Sequence, residues 1–182
     1  MERSIESSTT IRVAFEPARD VLLDDPGAVF GDADAVGERR PRRFRAEMSL
    51  DLGAGASVHQ DVSLQLDAPR STATTLVVPL TWRATGRQRL LPTFNGEFEI
   101  TDTRGATGLR LSGMYAFPVN MAGRLGSGVV GRLARRSLGA LVERLAGRLE
   151  AEVQRRLDSD SGTREPVPFA SPADEHPEIY VG

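Results

Sequence analysis

From residue 43 to residue 117 the chain alternates apolar and polar side chains with a period of two, and beyond Pro118 the period lengthens to three and four. Few architectures accept that order. Successive side chains of a strand point to opposite faces, so a period of two with one apolar parity marks a sheet with one dry face. Residues 43–52 place Phe44, Ala46, Met48, Leu50 and Leu52 on one side and Arg43, Arg45, Glu47, Ser49 and Asp51 on the other. Gly53-Ala-Gly55 allows a turn, after which Val58, Val62, Leu64 and Leu66 oppose His59, Asp61, Ser63, Gln65 and Asp67, giving a hairpin. Three further strands follow: residues 74–84 with Leu76, Val78, Leu80 and Trp82 inward, 90–101 with Phe94, Phe98 and Ile100, and 107–117 with Leu109, Leu111 and Tyr115. Their connections are short, which makes neighbours antiparallel.

A dry sheet face needs a cover. Val130, Leu133, Leu138, Leu141, Val142, Leu145, Leu149, Val153 and Leu157 recur at helical spacing. A helix over 129–157 would be about 43 Å long, enough to cross a small sheet. At the start of the chain, Ile11-Arg-Val-Ala-Phe15 reads as a short opening strand. Residues 18–23 and 27–30 read as two short helices, split by Asp24-Asp25-Pro26, where Asp caps and Pro fits the first turn. The expectation is an α+β domain over residues 1–157: an antiparallel sheet of about six to seven strands curved around a long C-terminal helix. Residues 158–182 are acidic, proline-bearing and aperiodic, and read as a disordered tail.

Composition narrows the function. A length of 182 residues suits one domain. Cysteine is absent, which removes disulfides, thiolate metal sites and a cysteine nucleophile, and favours a reducing compartment. With no apolar leader at the first residues and no long apolar run, a cytoplasmic location without stable membrane insertion is expected. All 23 basic side chains are arginine, yet the net charge is −2, so no global field attracts nucleic acid. The densest positive run, Arg39-Arg-Pro-Arg-Arg-Phe-Arg45, has one aromatic, Phe44, which parity assigns to the dry face, so no stacking aromatic accompanies the charges and the run reads as a solvated face.

Two motifs carry potential chemistry. Gly126-Ser-Gly-Val-Val-Gly131 matches the spacing of a dinucleotide-binding turn, but that turn needs buried parallel strands on both sides of it. The glycines therefore read as structural, and no cofactor is expected. His59 and Asp61 could form a base and its orienter, but parity assigns both to the wet face. No catalytic residue and no metal site are expected.

The stretches Pro79-Leu-Thr-Trp-Arg-Ala-Thr85, Leu91-Pro-Thr-Phe-Asn-Gly96 and Leu109-Arg-Leu-Ser-Gly-Met-Tyr-Ala-Phe-Pro118, followed by a glycine-bearing bend and the last helix, resemble the SRPBCC or START-like superfamily. That superfamily includes pollen allergens, lipid-transfer domains and polyketide cyclases. The resemblance implies a helix-grip fold with a cavity between sheet and helix that takes apolar or aromatic molecules, a minority of members acting as cyclases or dehydratases. The residues expected to line it are Trp82, Tyr115, Phe94, Phe44, Phe98, Met48 and Leu111. The expected partner is an apolar small molecule such as a lipid, a quinone-like compound or a polyketide-like aromatic. A cyclase or dehydratase steering its substrate through Tyr115, Arg83 or Arg89 is a second reading. A third is a protein-interaction module docking through the tail that ends Glu178-Ile-Tyr-Val-Gly182.

Overall fold

The computed structural model describes residues 2–33, 42–53, 56–85, 93–116 and 127–162. Residues 34–41, Arg89, the first two residues of the Leu91-Pro-Thr-Phe motif, Phe117 to Gly126 and the tail from 163 lie outside the described residues. Among those described, the order is β1 (Glu2–Ile11), α1 (Phe15–Asp24), α2 (Pro26–Phe30), β2 (Asp32–Ala33), β3 (Arg42–Gly53), β4 (Ala56–Leu66), β5 (Arg70–Ser71), β6 (Thr75–Ala84), β7 (Thr93–Asp102), β8 (Thr107–Ala116) and α3 (Ser127–Gly162). Seven strands form one antiparallel path, β1-β8-β7-β6-β4-β3-β2, with two-residue β5 appended to β6. The sheet and its covering helix are those expected from the two periods.

The opening strand is not where alternation placed it. β1 runs from Glu2 to Ile11, and Phe15 already begins α1. Only Ile5 and Ile11 of β1 are buried apolar residues; the inward-parity positions between them are Ser7 and Thr9. The reason is the helix above. A methyl group on Gly139 of α3 would lie 3.9 Å from the Ser7 hydroxyl, so β1 and α3 approach closely through small residues and the apolar pattern is diluted. The segment after β1 is held by the fully buried Thr107, whose Oγ1 donates to the Val13 carbonyl at 2.8 Å.

α2 forms as its cap dictates, whereas α1 opens at Ala14 without a side-chain cap. Asp25 accepts from the Ala28 amide at 3.3 Å, and Pro26 takes the first position of α2, where its missing donor is harmless. Polar contacts then tie α3 to this half of the chain. Glu150 accepts from the Arg12 amide at 2.8 Å, Arg148 donates to the Val29 carbonyl at 3.4 Å, and Arg156 pairs with Asp24 at 3.2 Å. The same Arg156 and Arg155 both donate to Glu152, one of the few buried polar side chains described. The Arg155 hydrogen bond above all, seconded by Arg156, holds the Glu152 carboxyl below its ordinary value although burial pushes the other way.

α3 spans 36 residues, about 54 Å. Its buried stripe is Ala134, Leu138, Val142, Leu145, Ala146, Leu149 and Val153. Leu157, counted into the apolar row from spacing alone, is 47% exposed. The helix nevertheless continues five residues past it. Those last turns carry their own bonds, Gln154 to Asp158 at 2.8 Å and Ser159 to the Arg155 carbonyl at 2.8 Å, rather than an apolar stripe, so periodicity does not reveal them.

Candidate apolar site under the long helix

Cross-strand pairing lines up one rung across the whole path: Ala33, Phe44, Leu64, Trp82, Phe94, Tyr115 and Arg3 lie side by side on β2, β3, β4, β6, β7, β8 and β1. The even parity of β3, β4, β6 and β7 meets the odd parity of β8 and β1 in this register, so Phe44, Leu64, Trp82, Phe94, Tyr115 and Arg3 share the face beneath α3. Phe44, Leu64, Trp82, Phe94 and Tyr115 are all buried there. Trp82 and Phe94 stack almost parallel, with ring centroids 4.0 Å apart and an interplanar angle of 8°.

This rung explains the motif spacing. Gly96 and Gly113 sit opposite each other on β7 and β8, one step along from the pair Phe94 and Tyr115. A methyl group on Gly96 would come within 2.7 Å of the Phe94 ring, and one on Gly113 within 2.8 Å of it. The ring of Phe94 therefore lies over both glycines and against Trp82. Trp82, Phe94, Gly96, Gly113 and Tyr115, scattered over three sequence motifs, form one contiguous cluster. Above it, a methyl group on Gly131 would stand 3.8 Å from the Tyr115 hydroxyl, so the start of α3 rests over Tyr115.

Beside the cluster is a cavity bounded by Phe30 of α2, Ala46 of β3, Val62 and Leu64 of β4, Leu80 and Trp82 of β6, Leu111 of β8, and Leu141 and Leu145 of α3. Every wall residue is apolar. The space between them totals about 320 Å³, part of it open to solvent, but water-sized molecules fit only within about 20 Å³ of it. That is room for a water molecule. Anything larger requires the walls to part.

Of the residues expected to line a ligand site, Trp82 and Leu111 are in this wall. Phe94 stands behind Trp82, and Phe98, fully buried, packs edge-on against Phe30 at 5.4 Å. Phe44 is buried near α2, within 3.4 Å of where a Gly27 methyl would be, and Tyr115 lies under the start of α3. The side chain of Met48 is outside the described residues. Strand parity already assigned Val62, Leu64 and Leu80 to the inward face, and helical spacing assigned Leu141 and Leu145 to the covering stripe. Phe30 had no such signal, because the five residues of α2 are too few to show a period.

The remaining chemical candidates lie elsewhere. His59, Asp61 and Arg83 are exposed, on the face away from α3. Gly131 belongs to a helix that follows antiparallel strands, with all pairings in the sheet antiparallel, so the glycine run has no dinucleotide-binding context. Among the described residues no group of three or more His, Asp or Glu could hold a metal ion, and no helix is long and apolar enough to cross a membrane.

No protein-family model and no curated protein sequence matches the chain. Solved structures do. The protein TTHA0849 from Thermus thermophilus superposes with a TM-score of 0.52 at 14% identity, covering 82% of this chain and 99% of that one. Zhui aromatase/cyclase from a Streptomyces species gives 0.51 at 16% identity, with 86% and 96% covered. Human STARD10 gives 0.50 at 10% identity, with 87% and 68% covered. Identities this low speak to architecture. The chain has the helix-grip fold of the START-like proteins, a curved antiparallel sheet closed over one long C-terminal helix.

Proposed function

We propose that the protein binds an apolar small molecule between the sheet and α3, in the space walled by Trp82, Leu64, Leu80, Leu111, Leu141 and Leu145. The observation that carries this reading is the uniformly apolar wall of that cavity, with an aromatic stack along one side, in a fold that places it under a single helix. Ligand sites are concave and mostly apolar, with a small number of polar groups setting orientation. The similar structures include an aromatase/cyclase, which fits an aromatic or polyketide-like ligand. Binding is favoured over catalysis because a cyclisation or dehydration needs a proton carrier, and none of the nine wall side chains is one. Of the three residues that could have steered an enolisable substrate, Arg83 faces solvent, Tyr115 is not in this wall, and Arg89 lies outside the described residues.

Because the free space is narrow, the ligand enters by parting α3 from the strands. Its affinity therefore includes the cost of that opening, and apolar contact area must offset it. Trp82 is the single tryptophan of the chain and stands in the wall, so its emission reports this place alone. Titration with naringenin, menadione or oleic acid, corrected for absorption by the probe, is expected to change Trp82 emission saturably for at least one of them. At a hundredfold excess over Kd the same compound should raise the melting temperature by roughly 5 °C or more, since binding to the folded state alone stabilises it by about 2.7 kcal/mol. Flat emission and an unchanged melting temperature across all three would return these side chains to plain core packing.

A further inference from the structure

Leu141 and Leu145 bring two successive turns of α3 to the cavity, and Ser137 stands one turn before them in the same row of every fourth residue. Side chains of a helix lean toward its N-terminus, so Ser137 stands on the Leu141 side of α3, one turn beyond the wall itself. Its Oγ is shut off from solvent and has no hydrogen-bond partner. A serine inside a helix ordinarily turns to water or bonds the carbonyl one turn back. Ser137 does neither. An unpaired buried hydroxyl destabilises the protein relative to alanine, the residue that otherwise suits a helix here. Such a group calls for a partner from outside the chain, which a bound water supplies in the free protein and a ligand can replace.

We propose that Ser137 is the polar anchor of the site, and that the ligand is an uncharged molecule carrying a hydroxyl or carbonyl group, which meets Ser137 Oγ while its apolar body lies between Trp82, Leu111, Leu141 and Leu145. This rests on the binding reading above and adds the ligand's polar chemistry to it. The neutral form follows from the wall. None of its nine side chains carries charge, so a carboxylate held there would be buried without a counter-charge, whereas a hydroxyl or ketone needs only the one hydrogen bond that Ser137 offers.

A matched set of probes separates the parts of this inference: naphthalene, 2-naphthol and 2-naphthoate, titrated by calorimetry into the wild type and Ser137→Ala. The wild type should prefer 2-naphthol to naphthalene by roughly five- to tenfold, the worth of one net hydrogen bond, and bind 2-naphthoate more weakly than either. Ser137→Ala should lose the naphthol preference, keep its affinity for naphthalene, and melt at or above the wild-type temperature in the absence of ligand. A naphthol preference that survives in Ser137→Ala, a preference for naphthoate, or a ligand-free variant that melts several degrees lower would overturn the assignment of Ser137 while leaving the apolar cavity standing. If none of the three probes binds either protein, the cavity reading itself falls and the anchor with it.

Discussion

Leu149→Asp leaves no folded protein. Leu149 is fully buried in the stripe by which α3 covers the sheet, one turn before Val153. An aspartate there either carries its charge into an apolar contact, at a cost of many kcal/mol, or takes up a proton and still leaves a polar carboxyl where Leu149 packed. Even the mild truncation Leu149→Ala should cost roughly 2 to 5 kcal/mol. Total stabilities of domains this size are about 5 to 15 kcal/mol, so the charged variant exhausts the margin. Circular dichroism and size exclusion should show loss of cooperative unfolding and an expanded or aggregated chain. Glu143→Gln, on the exposed side of the same helix, should stay within about 0.5 kcal/mol of wild type. A folded, cooperatively melting Leu149→Asp monomer would mean that α3 does not close the sheet.

Gly113→Ala should destabilise by roughly 3 kcal/mol, at the upper end of what overpacking a core usually costs. A Cβ at Gly113 would stand 2.6 Å from the Gly96 Cα as well as 2.8 Å from the Phe94 ring. The ring could rotate or be trimmed. The backbone of β7 could not move without separating from β8 at the centre of the sheet. The prediction is therefore specific: Phe94→Ala in the Gly113→Ala background should not recover the lost stability, because the backbone contact remains. Chemical denaturation of the single and double variants measures this. Recovery to the level of Phe94→Ala alone would show that only the ring, and not the closeness of the two strands, requires glycine at this position.

These two sites also illustrate what a reader of the sequence can and cannot see. The inward face of the sheet is legible strand by strand, since Phe44, Val62, Leu76, Leu80 and Phe98 fall on the even apolar parity of β3, β4, β6 and β7, Leu111 falls on the odd apolar parity of β8, and all are buried. The stripe of α3 is legible from spacing for the same reason. β1 is not, because the helix crosses it so closely that Ser7 and Thr9 replace the apolar residues a strand signal relies on, and Phe15, which completed a false alternation, belongs to the first turn of α1. The motif glycines carry their meaning only in three dimensions: nothing in sequence separation predicts that Gly96 and Gly113 are partners or that Phe94 lies over both. The aromatic residues could be assigned to the inner face but not sorted between wall and packing, since that depends on which rings stack on each other and which meet α2 and α3. Ser137 carries no signal in the sequence, because a lone serine among arginines and leucines in a helix reads as surface until the burial of its hydroxyl is known.

Methyl-labelled NMR with 2-naphthol shows directly whether an apolar ligand occupies the space between Trp82 and α3. Saturating 2-naphthol is expected to shift the methyl resonances of Leu64, Leu80, Leu111, Leu141 and Leu145, and of Val62 beside them, while Val21 and Val153, buried but outside the cavity wall, stay in place. Intermolecular contacts between the naphthol ring and Leu141 and Leu145 should accompany the shifts. Unmoved wall methyls in the presence of bound naphthol, or shifts confined to Val21, Val153 or the outer face of the sheet, would contradict binding in this space.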